Sequence, residues 1–327
     1  MSFAAKKLPQ VPEYNITRLN FQEVPLPGSS KRAMAVDVSL SAFNPYPLSL
    51  DIPGLGFEIL VPNCAATDPY IMVADALTRP VAVRPQSDVE INVRGLIQEL
   101  PESLTKVCPD SNSSPLDDLL RQYVRGGPAT VFVRGKKHSG DAPDWVGEIT
   151  SNIMVPVPFP GRTFDDLIRS FELSDVHFEL PDPLAEPDDP GSQPKVSATV
   201  LVTAGLPAEM NFDISVTRIR ASSDVSYRGD KLGELNLRHW QPANSSRTEA
   251  TGDHEAVLKI QSRMDDVPLN VTDDDVFTDV VQALIFGGKT VILDVKALVD
   301  VRVQTVLGRL ELRGVPAKGK VPVKRPY

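Results

Sequence analysis

Apolar and polar residues alternate over most of this chain, with the period of a half-buried β-strand and not of a helix. Ile16, Leu19 and Phe21 supply the apolar members of a first strand over residues 15–21. Met34, Val36, Val38 and Leu40 mark a second over 34–42, which ends at the turn Phe43-Asn44-Pro45-Tyr46-Pro47. A strand resumes over 48–60, broken at Pro53-Gly54, and others are expected over 70–77, 89–97, 130–134 and 149–157. In the second half the pattern predicts strands over 196–204, 212–221, 223–227, 232–237, 256–264, 290–298, 299–307 and 309–312. A helical period replaces the alternation in three places. These are residues 116–124, residues 164–171 behind Thr163 as N-cap, and residues 273–286 behind Thr272 as N-cap.

One phrase occurs twice. Leu116-Asp117-Asp118-Leu119-Leu120 leads through Tyr123 into Gly126-Gly127 and the apolar run Thr130-Val131-Phe132-Val133. Phe277-Thr278-Asp279-Val280-Val281 leads through Leu284 into Gly287-Gly288 and Thr290-Val291-Ile292-Leu293. Each reads as an amphipathic helix, a double-glycine stop and a buried strand. A strand followed by a proline-rich stretch also opens both halves, the second at Leu173-Ser174-Asp175-Val176-His177-Phe178. A period this long implies two domains and not a solenoid. The predicted fold is therefore mainly β: two tandem β-sandwich-like domains of about seven to eight strands, each with one short helix. Residues 1–14 form a leader, 15–160 the first domain and 161–327 the second, and the acidic, proline-rich stretch 182–194 is a loop.

Composition changes this picture mainly by exclusion. The 327 residues suffice for two cores. Thirty prolines suit many short strands joined by kinked loops. A net charge of −9 argues against nucleic acid as a partner. Lys318, Lys320, Lys324 and Arg325 gather at the end without interleaved aromatics, as a solvated tail. No stretch reaches the roughly 18 apolar residues of a membrane span, and the first residues do not read as a signal peptide. Four Asn-x-Ser/Thr acceptors stand at Asn15, Asn112, Asn244 and Asn270. The two cysteines, Cys64 and Cys108, would pair in an oxidising lumen and stay free thiols in a cytosol.

Candidate chemistry is sparse. Gly287-Gly288-Lys289-Thr290 resembles the end of a phosphate-binding loop, but Ala283 occupies the required glycine and the helix precedes the loop. Thr272-Asp273-Asp274-Asp275 lacks the alternating ligands of a calcium loop and reads as a capped first helical turn. His138, His177, His239 and His254 are dispersed, without a second ligand at metal spacing. No nucleophile elbow, His-Glu-x-x-His or Cys-x-x-Cys occurs. The expectation is a protein with no catalytic residues, no metal and no cofactor.

Phe43-Asn44-Pro45-Tyr46-Pro47-Leu48-Ser49-Leu50 resembles the Asn-Pro core of the late-embryogenesis-abundant group 2 domain, also called the water-stress and hypersensitive-response domain. The strands at 36–40, 48–60 and 89–93 fit that family's order. Gly205-Leu206-Pro207 stands where the second domain's Asn-Pro would be, so its resemblance rests on the repeated phrase. The chain as a whole is similar to a fungal group of membrane-anchored vacuolar proteins with tandem group 2 domains, connected with the termination of autophagy. Residues 277–290 and 68–100 carry that resemblance most specifically. Some members carry a pre-rRNA-processing label, which sits badly with the acidic charge. The resemblance implies a vacuolar or other secretory lumen, with the Cys64–Cys108 pair bonded and the sequons glycosylated. It also implies an anchoring helix that this chain lacks, and a β body able to open into an apolar groove for a lipid or a membrane surface. Leu48, Leu50, Leu55 and Phe57 are the candidate groove residues. The competing expectation is a protein-interaction scaffold at the vacuolar membrane without a small ligand, acting through loops such as 182–194.

Overall fold

In a computed structural model the protein is mainly β. The structure describes residues 13–111, 113–124, 127–159, 168–182, 184, 186, 191–249, 255–286 and 290–323. The expected leader up to residue 12, the acceptor Asn112, the N-cap Thr163, the glycines at 287–288, His254, and the terminal Lys324 and Arg325 lie outside the described residues. The chain divides into two compact units. The first takes residues up to Tyr123, Gly127–Gly161 and Glu209–Phe212; the second takes Val124–Gly126, Arg162–Ala208 and Asp213 onward.

The first unit begins with β1 (Tyr14–Pro25), β2 (Arg32–Asn44), β3 (Leu50–Ile52), β4 (Leu55–Pro62), β5 (Tyr70–Thr78), β6 (Val81–Val83) and β7 (Ser87–Ile97). It continues with α1 (Glu102–Thr105), α2 (Pro115–Val124), β8 (Ala129–Gly140), α3 (Asp144–Thr150) and β9 (Met154–Phe159). In the second unit β10 (Ile168–Glu179) and β11 (Lys195–Gly205) come first. The chain then returns to the first unit for β12 (Met210–Asn211). The second unit resumes with β13 (Ile214–Tyr227), β14 (Asp230–Thr248), β15 (Val257–Val271), α4 (Asp274–Ile285), β16 (Val291–Thr305) and β17 (Gly308–Val323).

The first unit's sheet runs β12-β1-β2-β7-β5-β4-β8-β9, with β3 and β6 pairing separately. Its neighbours are antiparallel except at one edge, where β12 lies parallel to β1 with Phe21 beside Met210. α2 starts at a reciprocal cap. The Ser114 amide donates to the Asp117 carboxylate at 2.8 Å, the Asp117 amide donates to the Ser114 hydroxyl at 3.1 Å, and Pro115 fills the first helical position. α1 and α3 are short helices additional to the expected one.

The second unit's sheet runs β10-β11-β15-β14-β13-β16-β17 and curls until β17 meets β10. Gly319 marks that seam, since a side chain there would lie 2.7 Å from the Phe171 carbonyl oxygen. Inside are buried Val200, Ile219, Leu235, Leu258, Met264 and Val303, joined by Val280 and Leu284 of α4. Arg228 and Gly229, both at positive φ, form the two-residue turn between β13 and β14, where Tyr227 pairs with Asp230.

Several local expectations are corrected. Residues 168–171 are strand and not helix, because Ile168 and Phe171 pair with Ala204 and Val202, and that pairing overrides a short amphipathic pattern. Residues 149–150 end α3 and do not open a strand. Pro143 starts that helix, and Thr150 packs where a side chain on Gly135 would stand. The pairs of strands expected at 212–227 and 290–307 are each continuous. Ser222, which separates the first pair, donates its hydroxyl to the Asn236 side-chain oxygen at 2.6 Å, and Leu298 and Val299 carry the second pair's ladder to β13 without a break. Asp273, not Thr272, caps α4, its carboxylate accepting from the Asp275 and Val276 amides. Lys318 and Lys320 belong to β17 and not to a tail, alternating with buried Ala317 and Val321.

Candidate functional site: a half-covered apolar sheet face

Directly paired residues of neighbouring strands share a face, so the register defines the two sides of the first unit's sheet. One row runs Phe21, Val36, Gly95, Ala76, Phe57, Gly135 across six strands. The next holds Leu19, Val38, Val93 and Thr78, and beyond it lie Ile16, Leu40 and Ile91. The opposite side carries internally paired polar residues, alongside buried Ala35 and Leu60. Arg134 reaches Glu58 at 2.6 Å, Lys136 reaches Asp75 at 2.6 Å, and the Ser39 hydroxyl donates to Asn92 at 2.7 Å. A continuous apolar face of this kind has to be covered to be kept from water.

The cover is partial. At one end Leu104 of α1, fully buried, packs with Leu116 and Leu119 of α2 on Val61, Ile71 and Val131. A disulfide between Cys64 and Cys108, with Cα atoms 5.7 Å apart, joins the β4–β5 turn to the loop between α1 and α2. Closing that 44-residue separation is worth about 4 kcal/mol in the chain-entropy account. α3 covers Gly135. Elsewhere on the face Val36, Val38, Leu40, Ile91 and Val93 are half-buried, none reaching the full burial of the second unit's core valines.

The Asn-Pro turn sits at the end of β2 and is organised by Asn44. Its buried side-chain amide donates to the carbonyls of Leu48 and Arg84, at 3.2 and 2.8 Å, and its oxygen accepts from the Tyr46 amide at 3.1 Å. A buried amide so fully partnered fixes loop geometry, and leaving its partners unpaired costs about 1–3 kcal/mol. Leu48 and Leu50 are 65% and 57% exposed on this turn, beside exposed Phe43 and Tyr46. Leu55 and Phe57 are half-buried, and Phe57 lies in the apolar row above. The structure thus divides the four nominated residues into an exposed pair on the turn and a sheet pair. Phe43 and Tyr46 were missed because aromatics beside prolines read only as a turn. The β1, β2 and β7 residues were missed because alternation marks a face without saying whether anything lies on it.

The remaining candidates are dispersed. Asn15, Asn244 and Asn270 are exposed on strands. His177 and His239 are exposed. Among the described residues no group of three His, Cys, Asp or Glu is placed to hold a metal ion, and no helix is long and apolar enough to cross a membrane.

Residues 210–324 match the family model of the Tag1 C-terminal domain. The match spans β12 to β17 and leaves the preceding 209 residues outside it. No curated protein matches the chain. Among solved structures, the partial N-terminal region of an enterococcal surface protein aligns over 98% of this chain and 98% of its own at 9% identity, with a TM-score of 0.15. The B domain of a biofilm-associated protein aligns over 98% of this chain and 89% of its own at 8% identity and a TM-score of 0.16. The CupB6 tip adhesin of Pseudomonas aeruginosa aligns over 96% of both chains at 9% identity and a TM-score of 0.14. At such TM-scores these likenesses carry no argument.

Proposed function

We propose that the protein is a non-catalytic lumenal module that holds a lipid acyl chain on the half-covered apolar face of its first unit. The setting is one connected with the termination of autophagy. The observation behind the lipid is the contrast in burial. The second unit buries Val200, Ile219 and Val303 fully, whereas Val36, Val38 and Ile91 in equivalent alternating strands are left half-covered. Support for the setting is the Tag1 C-terminal domain match, Tag1 being a termination-of-autophagy protein. The disulfide and the exposed sequon asparagines Asn15, Asn244 and Asn270 support a vacuolar or other secretory lumen. Tandem group 2 domains held at a membrane complete the reading.

Native mass spectrometry of the purified chain, followed by organic extraction, tests it. A near-stoichiometric lipid that is lost in Val38→Asp and Ile91→Asp supports the acyl-binding face. An unchanged apo mass after incubation with fatty acid and with lipid vesicles overturns it. In that event the exposed turn of Phe43, Tyr46, Leu48 and Leu50 favours the second reading, a scaffold that binds a protein through this apolar tip.

A further inference from the structure

The outer face of the second unit carries a different arrangement. β14 contains a bulge: its pairing with β13 passes from Ile219 beside Gln241 directly to Ala221 beside Leu237. Arg238, His239 and Trp240 therefore stand opposite Arg220 alone, and the extra residues turn the indole outward. Two guanidinium groups lie over it, that of Arg302 at 4.1 Å and that of Arg220 at 4.8 Å from the ring centroid. Arg302 in turn stands directly across from Arg218.

The carboxylates among them use only part of this donor set. Arg220 gives its Nε to Asp300 at 2.7 Å, and Arg302 gives its Nε to Glu311 at 2.7 Å. Glu311 also receives Arg313 at 2.9 Å, and Asp300 also accepts the Gly314 amide at 2.8 Å. A guanidinium has five N–H donors in a planar fork, so a single Nε bond leaves its terminal nitrogens for another acceptor.

Further along the same face the pattern repeats with lysine. Lys296 and Lys318 are a directly opposed pair, and Lys320 follows on β17. Like charges opposed across a ladder are destabilising. This face holds two such pairs, Arg218–Arg302 and Lys296–Lys318. Its other acids are committed or opposed: Asp224, directly across from Lys296, to Lys231 at 2.8 Å, Glu234 to Lys231 at 2.7 Å, and Asp294 across from Lys320. Between the arginine and lysine rows Leu298 is 59% exposed, and Ile292 is exposed beyond them. A chain with a net charge of −9 thus keeps one sheet face rich in cations with apolar side chains among them.

We propose that this face docks the protein on an anionic phospholipid bilayer. Arginine and lysine take the headgroup phosphates and carboxylates, while Leu298, Ile292 and the Trp240 ring sit at the depth of the headgroups. Charge complementarity selects an anionic partner. Exposed Leu298, next to Lys296 on its strand, and Ile292, diagonal to Lys320, select a bilayer over a soluble anion, because apolar side chains beside cations gain free energy only where acyl chains lie beneath the phosphates. The site belongs to the second unit and does not depend on an acyl ligand in the first.

The test is sedimentation of the full chain with phosphatidylcholine vesicles, with and without phosphatidylserine. Binding is expected only with phosphatidylserine and is expected to weaken with added salt. Lys296→Gln and Lys318→Gln should each reduce the partition coefficient roughly fivefold, the effect of about one basic residue at a charged surface. Leu298→Ser should weaken binding with its salt dependence unchanged, and the variants' unfolding temperatures report that the fold is intact. In a Trp145→Phe background Trp240 alone reports emission, which should shift to the blue on anionic vesicles only. Three outcomes overturn the proposal: no vesicle binding; vesicle binding indifferent to these substitutions; or retention on polyglutamate without vesicle binding, which assigns the face to an acidic protein. Loss of vesicle binding with the extracted lipid load unchanged separates this site from the first unit's.

Discussion

Glu311 stands between Arg302 and Arg313 on the outer face of the second unit, half-buried at the edge of the Trp240 cluster. Burial by itself would raise its carboxyl, but the hydrogen bonds and charges of the two arginines outweigh that and hold it below the ordinary glutamate value. A carboxyl whose pKa is depressed by folding adds stability that is fully present above its unfolded value, about 4.3, and is lost as pH falls through the folded one. Glu311→Gln is therefore expected to unfold at lower denaturant than the parent at neutral pH, with the gap closing on acidification. Urea melts at pH 7 and below pH 4 decide it, and a gap that persists in acid would refute the assignment. Arg313 is two residues on in the same strand and so is visible in local sequence, whereas Arg302 reaches Glu311 only through the β16–β17 register. The Asn44 turn is the opposite case, because its Asn-Pro motif is local and visible, although its third partner, Arg84, is not.

Among the elements, the helices near 116 and 274 were the most legible, because capping side chains, acidic first turns and apolar spacing all lie within a few residues. Even there the cap moved by one residue, from Thr272 to Asp273, since either side chain satisfies the same amide requirement. Strands were legible in kind but not in length. β13 runs through Ser222, which read as a break, β16 runs on through Leu298 and Val299 where two strands were expected, and β10 begins over residues 168–171, where a helix was expected. Closure between β10 and β17 was invisible, since it depends on Gly319 meeting Phe171. Gly319→Ala should lower the unfolding free energy by about 1–3 kcal/mol, as overpacking does. Equilibrium urea unfolding measures this, and an unchanged midpoint would show that the seam yields to a methyl group.

Over the whole molecule the two units contain opposite solutions to the same problem, a sheet with one apolar side. The second curls on itself and fills its interior with valine, leucine and α4; the first uses α1, α2 and α3 as a cover and leaves part of the face half-exposed. The cover is tied by Cys64–Cys108, so reductant should lower hydrogen-exchange protection in β4, β5, α1 and α2 while β13 and β16 keep theirs. Uniform loss in both units, or two alkylatable thiols in the denatured but unreduced protein, would count against that link. The strand alternation, the two helix signals and the Asn-Pro turn were determined by sequence, because each depends on residues within one turn or one pleat, whereas sequence alone left Cys64 and Cys108 either paired or free. Tertiary structure decided which apolar face stayed uncovered, that Met210 joined the first unit's sheet beside Phe21, and that Arg218, Arg302 and Trp240 shared one surface. Those outcomes depend on register between strands far apart in the chain, and a period-two pattern pairs equally well in many registers until closure and side-chain packing select one.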